Sequence, residues 1–329
     1  MMGCGFGVMS RKVVYDVDPG CDDSTMLMMS LGSEELEVVG VTTTYGNASI
    51  DHTTRNALAI LDFADRLDVP VARGCGRPFV GDAKIPFEPD DVDAVHGTNG
   101  LTWDVTESAG HEADEHAADF IVEQAHEHGK DLSIAAVGPQ TNLALALAKE
   151  PELPRLVDEV YFMGGSAKAP GNTTPLAELN IYKDPESASR VMQEASPRMV
   201  GVYATNQTYV PFELIDEFAD RGGPYQKISQ ILDYYPREAL DRFGQVSGPV
   251  VHDSLVAADL IDDVIDFEEY YIEVGTDDGH CRGATIIDER GVIWEEMDPN
   301  AELAVSVGTD AYIDILRETL ESLADDIAS

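Results

Sequence analysis

Short runs rich in β-branched residues, each followed by a stretch of helical periodicity, recur along most of this 329-residue chain. That alternation is the pattern of a mostly parallel central sheet flanked by helices, an α/β fold. Strands are predicted at Lys12–Val17, Leu36–Thr44, Val69–Ala72, Leu132–Val137 and Val157–Met163, with the alternation continuing at Met199–Tyr203. The intervening helices are Asp22–Leu31, Asp51–Asp65, Ala113–His128, Thr141–Lys149 and Pro185–Ala195. Pro211–Leu260 reads as mostly helical, and strand-like segments follow near Glu269–Gly275, Arg282–Asp288 and Val292–Trp294. The last helix, Ala311–Ile327, carries one apolar stripe of Ile313, Ile315, Leu316, Leu320 and Leu323. Gly74–Thr106 and Gly164–Asn180 lack periodicity and read as loops. No Ser/Gly-rich linker or internal repeat cuts the chain, so a single domain over 1–329 is expected, with 1–10 as a disordered tail or start-site extension.

Charge removes whole classes of partner. There are 62 Asp plus Glu against 21 Lys plus Arg, a formal net charge of −41. Nucleic acid and anionic membrane surfaces are bound mainly through Lys and Arg, so neither is an expected partner. The acid is spread along the chain, and a 43% hydrophobic content is enough for an ordinary core. Only 7 of the cations are Lys, against 14 Arg. An acidic skin poor in lysine reads as adaptation to high salt, where self-repulsion is screened within about 3 Å at 1 M. Cys4, Cys21, Cys75 and Cys281 form no CxxC pair and suggest neither a zinc site nor a disulfide framework. No stretch has the apolar length of a membrane span, and the N-terminus lacks the charge order of a secretory signal. A cytoplasmic protein is expected.

The words with most chemistry are DVDPGCDD, Asp16 to Asp23. Residues i and i+2 of a strand share a face, so Asp16 and Asp18 project together at its C-terminal end. Pro19–Gly20 turns the chain, and Asp22 and Asp23 open the next helix, where the positive dipole end tolerates anions. Four converging carboxylates resist simultaneous ionisation unless something positive sits among them. A hard divalent cation such as calcium, which accepts about six to eight oxygens, meets that need. An EF-hand counted from Asp16 would need Gly and Glu where the chain has Cys21 and Leu27, so that reading fails. A magnesium-dependent phosphatase with Asp16 as nucleophile stays as an alternative, as does a non-catalytic binding protein.

DVDPGCDD resembles the N-terminal fingerprint of the nucleoside hydrolases, the inosine-uridine preferring N-ribohydrolase family. The resemblance extends over nearly the whole chain through TTYGN (Thr43–Asn47), HGTNGL (His96–Leu101), GPQTNLA (Gly138–Ala144), NTTPLAELNIYKDPESA (Asn172–Ala188), VHD (Val251–Asp253) and RGATIID (Arg282–Asp288). It implies calcium (Ca2+) held by Asp18, Asp23, the carbonyl of Val137 and Asp253, with the ribose 2′ and 3′ hydroxyls completing the shell. It further implies Asp18 as general base, Asp22 as partner of the 2′ hydroxyl, and Asn47, Asn172, Glu178 and Asn180 on the remaining hydroxyls. Asp16 would support this shell. His252 matches the acid that protonates the departing base, and His96 would lie at the pocket mouth. Tyr234, Tyr235 and Phe243 are aromatics that would stack on a base or pack in the core. The implied reaction is release of ribose and a free purine or pyrimidine through an oxocarbenium-like transition state. A homodimer or homotetramer is the implied assembly.

Overall fold

A computed structural model describes residues 10–81, 100–103, 108–234, 237, 247–294 and 296–329. The described residues form one eight-stranded sheet with helices on both faces, and a separate two-stranded hairpin. The first half runs β1 (Arg11–Val17), α1 (Cys21–Leu31), β2 (Leu36–Thr43), α2 (Ile50–Phe63), β3 (Val71–Arg73), α3 (Ala117–His128), β4 (Leu132–Ala136), α4 (Thr141–Lys149), α5 (Leu153–Leu156) and β5 (Val160–Met163). It continues with α6 (Leu179–Lys183), α7 (Pro185–Ala195), β6 (Arg198–Val200), α8 (Val202–Thr205), α9 (Phe212–Arg221), α10 (Gly223–Leu232) and α11 (Ser254–Ile261). The C-terminal part holds β7 (Ile265–Tyr270), the hairpin strands β8 (Ile272–Val274) and β9 (Thr285–Ile287), then β10 (Ala301–Val307) and α12 (Thr309–Ala328).

Strand order is β3-β2-β1-β4-β5-β6-β10-β7, parallel throughout except for β7, which runs antiparallel to β10 at one edge. β1 is buried on both faces, as a central parallel strand must be. Val13, Tyr15 and Val17 enter the hydrophobic core on one side of the sheet, and Val14 enters the core on the other. The chain leaves β1 toward β2 on one flank and later returns to β4 on the other, so the strand order reverses between β1 and β4. In an open α/β sheet, the crevice outside the strand ends at such a switch point is where ligands bind.

The α/β fold read from the sequence is the fold observed. The helices at Thr141–Lys149 and Pro185–Ala195 match residue for residue, and most other elements match to within a few residues. The C-terminal part differs. β10 was not expected, because AELAVSV mixes Ala and Glu, which are depleted in strands; its state is set by pairing with β6 and β7. Val292–Trp294 is not a strand but a turn whose three N–H groups all donate to Asp288 Oδ2. The predicted helix at Ala113 begins only at Ala117, where the His116 ring accepts from the N–H of Ala118 as its cap. His116 is half-buried there.

Candidate active site

The predicted carboxylates gather at the β1/β4 switch point, and the turn after β1 explains how. Gly20 caps α1, which places Asp22 and Asp23 in its first turn. Asp23 reaches back, accepting the N–H of Asp18 on Oδ1 and the N–H of Gly20 on Oδ2, both at 3.0 Å. One buried carboxylate thus closes the strand-to-helix turn. Asp18 Oδ2 accepts the N–H of Asn47 at 2.6 Å, while the Asn47 amide donates to the Asp18 carbonyl and to Asp23 Oδ2, each at 3.3 Å. Asp16 lies deeper and takes Thr42 Oγ1 at 2.6 Å and the Asn142 amide at 2.8 Å on Oδ1. Asn142 also donates to the Thr43 carbonyl at 3.0 Å, so Asp16 ties β1 to β2 and α4.

Asp253 comes from the distant start of α11 and completes the cluster. Carboxylate oxygens of Asp22, Asp23 and Asp253 lie within 4.8 Å of one another. Burial, then the nearby Asp22, pushes the Asp23 carboxyl up to about 7. Asp18 is held well above the ordinary carboxylate range by burial and then by Asp23, and Asp253 by burial followed by Asp22, Asp23 and Asp18. Asp16 rises to about 7 through burial alone, partly offset by Thr42 and Asn142. Carboxyl groups this crowded favour protonation unless a cation joins them.

The donor set fits such a cation. It is made of oxygen only, and Asp22 Oδ1 is buried without a hydrogen-bond partner among the described residues. The Val137 carbonyl, at the end of β4, accepts the Asn180 amide at 2.6 Å and keeps a second lone pair. Oxygen donors without Cys or His suit a hard divalent cation. Asp22 stands nearer to this set than the sequence reading placed it, since it shares the tight trio with Asp23 and Asp253.

The remaining predicted residues are placed as follows. Glu178 caps α6, accepting the N–H of Asn180 at 2.9 Å and of Ile181 at 3.3 Å, and it also takes the N–H of Gly165 at 3.0 Å. Gly165 has φ +87° where the chain turns sharply after β5, which favours glycine. Asn172 is exposed and its Oδ1 accepts from Leu179 N at 3.1 Å, outside the carboxylate cluster. His252 Nδ1 meets Thr205 Oγ1 at 2.6 Å. Burial holds its imidazole below the usual histidine range, while the charge of Asp22 pulls it back up. Tyr234 packs against the core and donates to the Val250 carbonyl at 2.9 Å. His96, Tyr235 and Phe243 lie outside the described residues.

Some residues of the site had no role in the sequence reading. A Cβ on Gly46 would lie 1.8 Å from Asp18 Oδ2, and one on Gly138 would lie 2.6 Å from Asp18 Oδ1, so both glycines make room for that carboxylate. Both fall inside the TTYGN and GPQTNLA words, which is the signal that could have found them. Thr205 lies outside every such word, whereas Lys183 lies inside NTTPLAELNIYKDPESA, although that word does not show its contact with Gly46. Lys183 is buried, donates to the Gly46 carbonyl, and attracts Asp18 and Glu178.

Comparison with known proteins agrees with this geometry. The inosine-uridine preferring nucleoside hydrolase family matches residues 13–314. Pyrimidine-specific ribonucleoside hydrolase RihB of Escherichia coli is 32% identical over 312 residues, which is 94% of this chain and 96% of the relative. The solved structure of a purine-preferring ribonucleoside hydrolase from Gardnerella vaginalis superposes with TM-score 0.87 at 29% identity, covering 96% of this chain and 99% of that one. A plant nucleoside hydrolase, PpNRh1, gives TM-score 0.85 at 28% identity over 94% and 98% of the two chains. The phosphatase alternative draws no support from these matches. The chain belongs to the inosine-uridine preferring nucleoside hydrolase family.

Proposed function

We propose that the protein hydrolyses the N-glycosidic bond of ribonucleosides to ribose and free base, with calcium as its cation. The observation that carries this reading is the meeting, within 4.8 Å, of Asp22 and Asp23 from the turn that holds Asp18 with Asp253 from the start of α11. Of the named relatives, one is pyrimidine-specific and another purine-preferring, so the family accommodates both kinds of base.

Calcium held by Asp18, Asp23, Asp253 and the Val137 carbonyl would supply a positive centre for the 2′ and 3′ hydroxyls and for water. Asp18 accepts the proton of the attacking water as its oxygen bonds to C1′. Asp22 accepts from the 2′ hydroxyl, and Asn47, Asn172, Glu178 and Asn180 grip the others. Asp16 supports this arrangement through Thr42 and Asn142. The C1′–N bond breaks with its electron pair leaving on the base, through an oxocarbenium-like transition state. Surrounding carboxylates stabilise the positive charge that develops on the sugar. His252 delivers a proton to the departing base; Thr205 engages Nδ1, which leaves Nε2 for that transfer.

The test is ribose release, with equimolar free base, from inosine, adenosine, guanosine, uridine and cytidine in molar KCl. Phosphate release from nucleotides without ribose release from nucleosides would favour the phosphatase instead. The same reading takes the protein as cytoplasmic, adapted to high salt, and a homodimer or homotetramer. Light scattering in molar KCl checks the assembly.

A further inference from the structure

Lys183 ends the short helix α6 and is the one lysine buried among the described residues, at 5% exposure. A lysine in a helix's last turn ordinarily extends its ammonium to water. This one turns inward and donates to the carbonyl of Gly46. Gly46 is the residue whose missing Cβ makes room for Asp18 Oδ2, and the next N–H, that of Asn47, donates to that oxygen at 2.6 Å. Ammonium, carbonyl, peptide N–H and carboxylate therefore form one connected chain from Lys183 to Asp18. A buried ammonium is costly unless it is paired and hydrogen-bonded. Here the compensation comes from the Gly46 carbonyl and from the charges of Asp18 and Glu178. The same attraction works on Asp18, against the repulsion of Asp23 and Asp22.

We propose that Lys183 is a positioning residue for the reaction: it holds the Gly46–Asn47 turn that fixes Asp18 for proton transfer, and its charge offsets the buried carboxylates when no cation is bound. The first part rests on the reading of Asp18 as general base; the second does not.

Lys183→Met removes the charge and the donor at similar length. It is compared with the wild type in ribose release at saturating calcium, and in thermal melting with calcium and after chelation. The expected result is a kcat lower by about ten- to a hundredfold, the scale of a small misplacement of a reacting group, with KM moved less than about threefold. The melting temperature should fall further in the chelated than in the calcium-loaded protein. A kcat within about twofold of wild type, or an equal fall in both states, overturns the proposal. Lys183→Gln keeps a donor and should retain more kcat than Lys183→Met; if the latter fails to fold, Lys183→Gln against wild type decides on the same readouts. Wild-type inactivity on every nucleoside would count against the proposed reaction, and the two melting curves would then decide on Lys183 alone.

Discussion

Asp23 accepts the backbone N–H of Asp18 at 3.0 Å on one carboxylate oxygen, and its other oxygen takes the N–H of Gly20. The residue that shapes the turn thereby also faces Asp22 and Asp253. The turn and the proposed cation site are tied together at Asp23 and separable at Asp18. Asp23→Ala leaves two buried N–H groups without their acceptor, at about 1–3 kcal/mol each, and removes a proposed cation ligand. It should lower the melting temperature and weaken calcium binding by more than the roughly 10- to 100-fold typical of an outer-shell change. Asp18→Asn keeps an acceptor for Asn47 but loses the proposed base. Its kcat should fall by about 10²- to 10⁴-fold with melting nearly unchanged. Calorimetric calcium titration, melting curves and ribose release on both variants check this; unchanged turnover in Asp18→Asn would contradict the role given to it.

The raised carboxyls make the chelated protein sensitive to pH in a defined direction. Asp16 and Asp23 have folded values of about 7 against an ordinary 3.8. Between those limits the folded state binds more protons than the unfolded state, so stability falls as pH rises. Chelated protein should therefore melt higher near pH 5 than near pH 8. Calcium bound as proposed would compete with the same protons, so its affinity should weaken as pH falls through about 7, with protons released on binding. Melting with chelator across this range, and calcium titration in buffers of different ionisation enthalpy, measure both. A chelated protein that melts higher at pH 8 would refute the account of the cluster.

The orientation of His252 depends on Thr205, whose hydroxyl meets Nδ1 at 2.6 Å. Thr205→Val keeps the shape and removes that contact. The ring then loses the partner that directs Nε2, and kcat should fall by about tenfold while KM stays nearly constant. Steady-state kinetics on a nucleoside with a poor leaving base read this most clearly. An unchanged kcat would remove His252 orientation from the mechanism.

Much of the fold and part of the site were legible in the chain. β1 was readable because RKVVYDV is β-branched, buried on both faces and followed by a Pro-Gly turn. The four carboxylates of DVDPGCDD were readable because strand and helix geometry bring them to one end. AELAVSV at Ala301–Val307 was not readable, since sheet partners decide its state. Lys183 and Thr205 were hidden for a related reason. Their roles come from contacts with residues 137 and 47 positions away, which neither the helical stretch around Thr205 nor the word NTTPLAELNIYKDPESA that contains Lys183 spells out.

The net charge of −41 predicts its own salt dependence. Self-repulsion is long-ranged in dilute buffer and screened within about 3 Å at 1 M salt. The melting temperature should rise from low to molar KCl with calcium held saturating. Greater stability in dilute buffer would rule out the high-salt adaptation.

The central claim is that the acidic cluster at the β1/β4 switch point binds a cation and that ribose release depends on it. Ribose release from the five common ribonucleosides, measured before chelation, after chelation and after calcium add-back, tests this most directly. Release should be lost on chelation and restored by calcium. Release that survives complete chelation, or no release from any nucleoside by correctly folded, calcium-loaded protein, would contradict it.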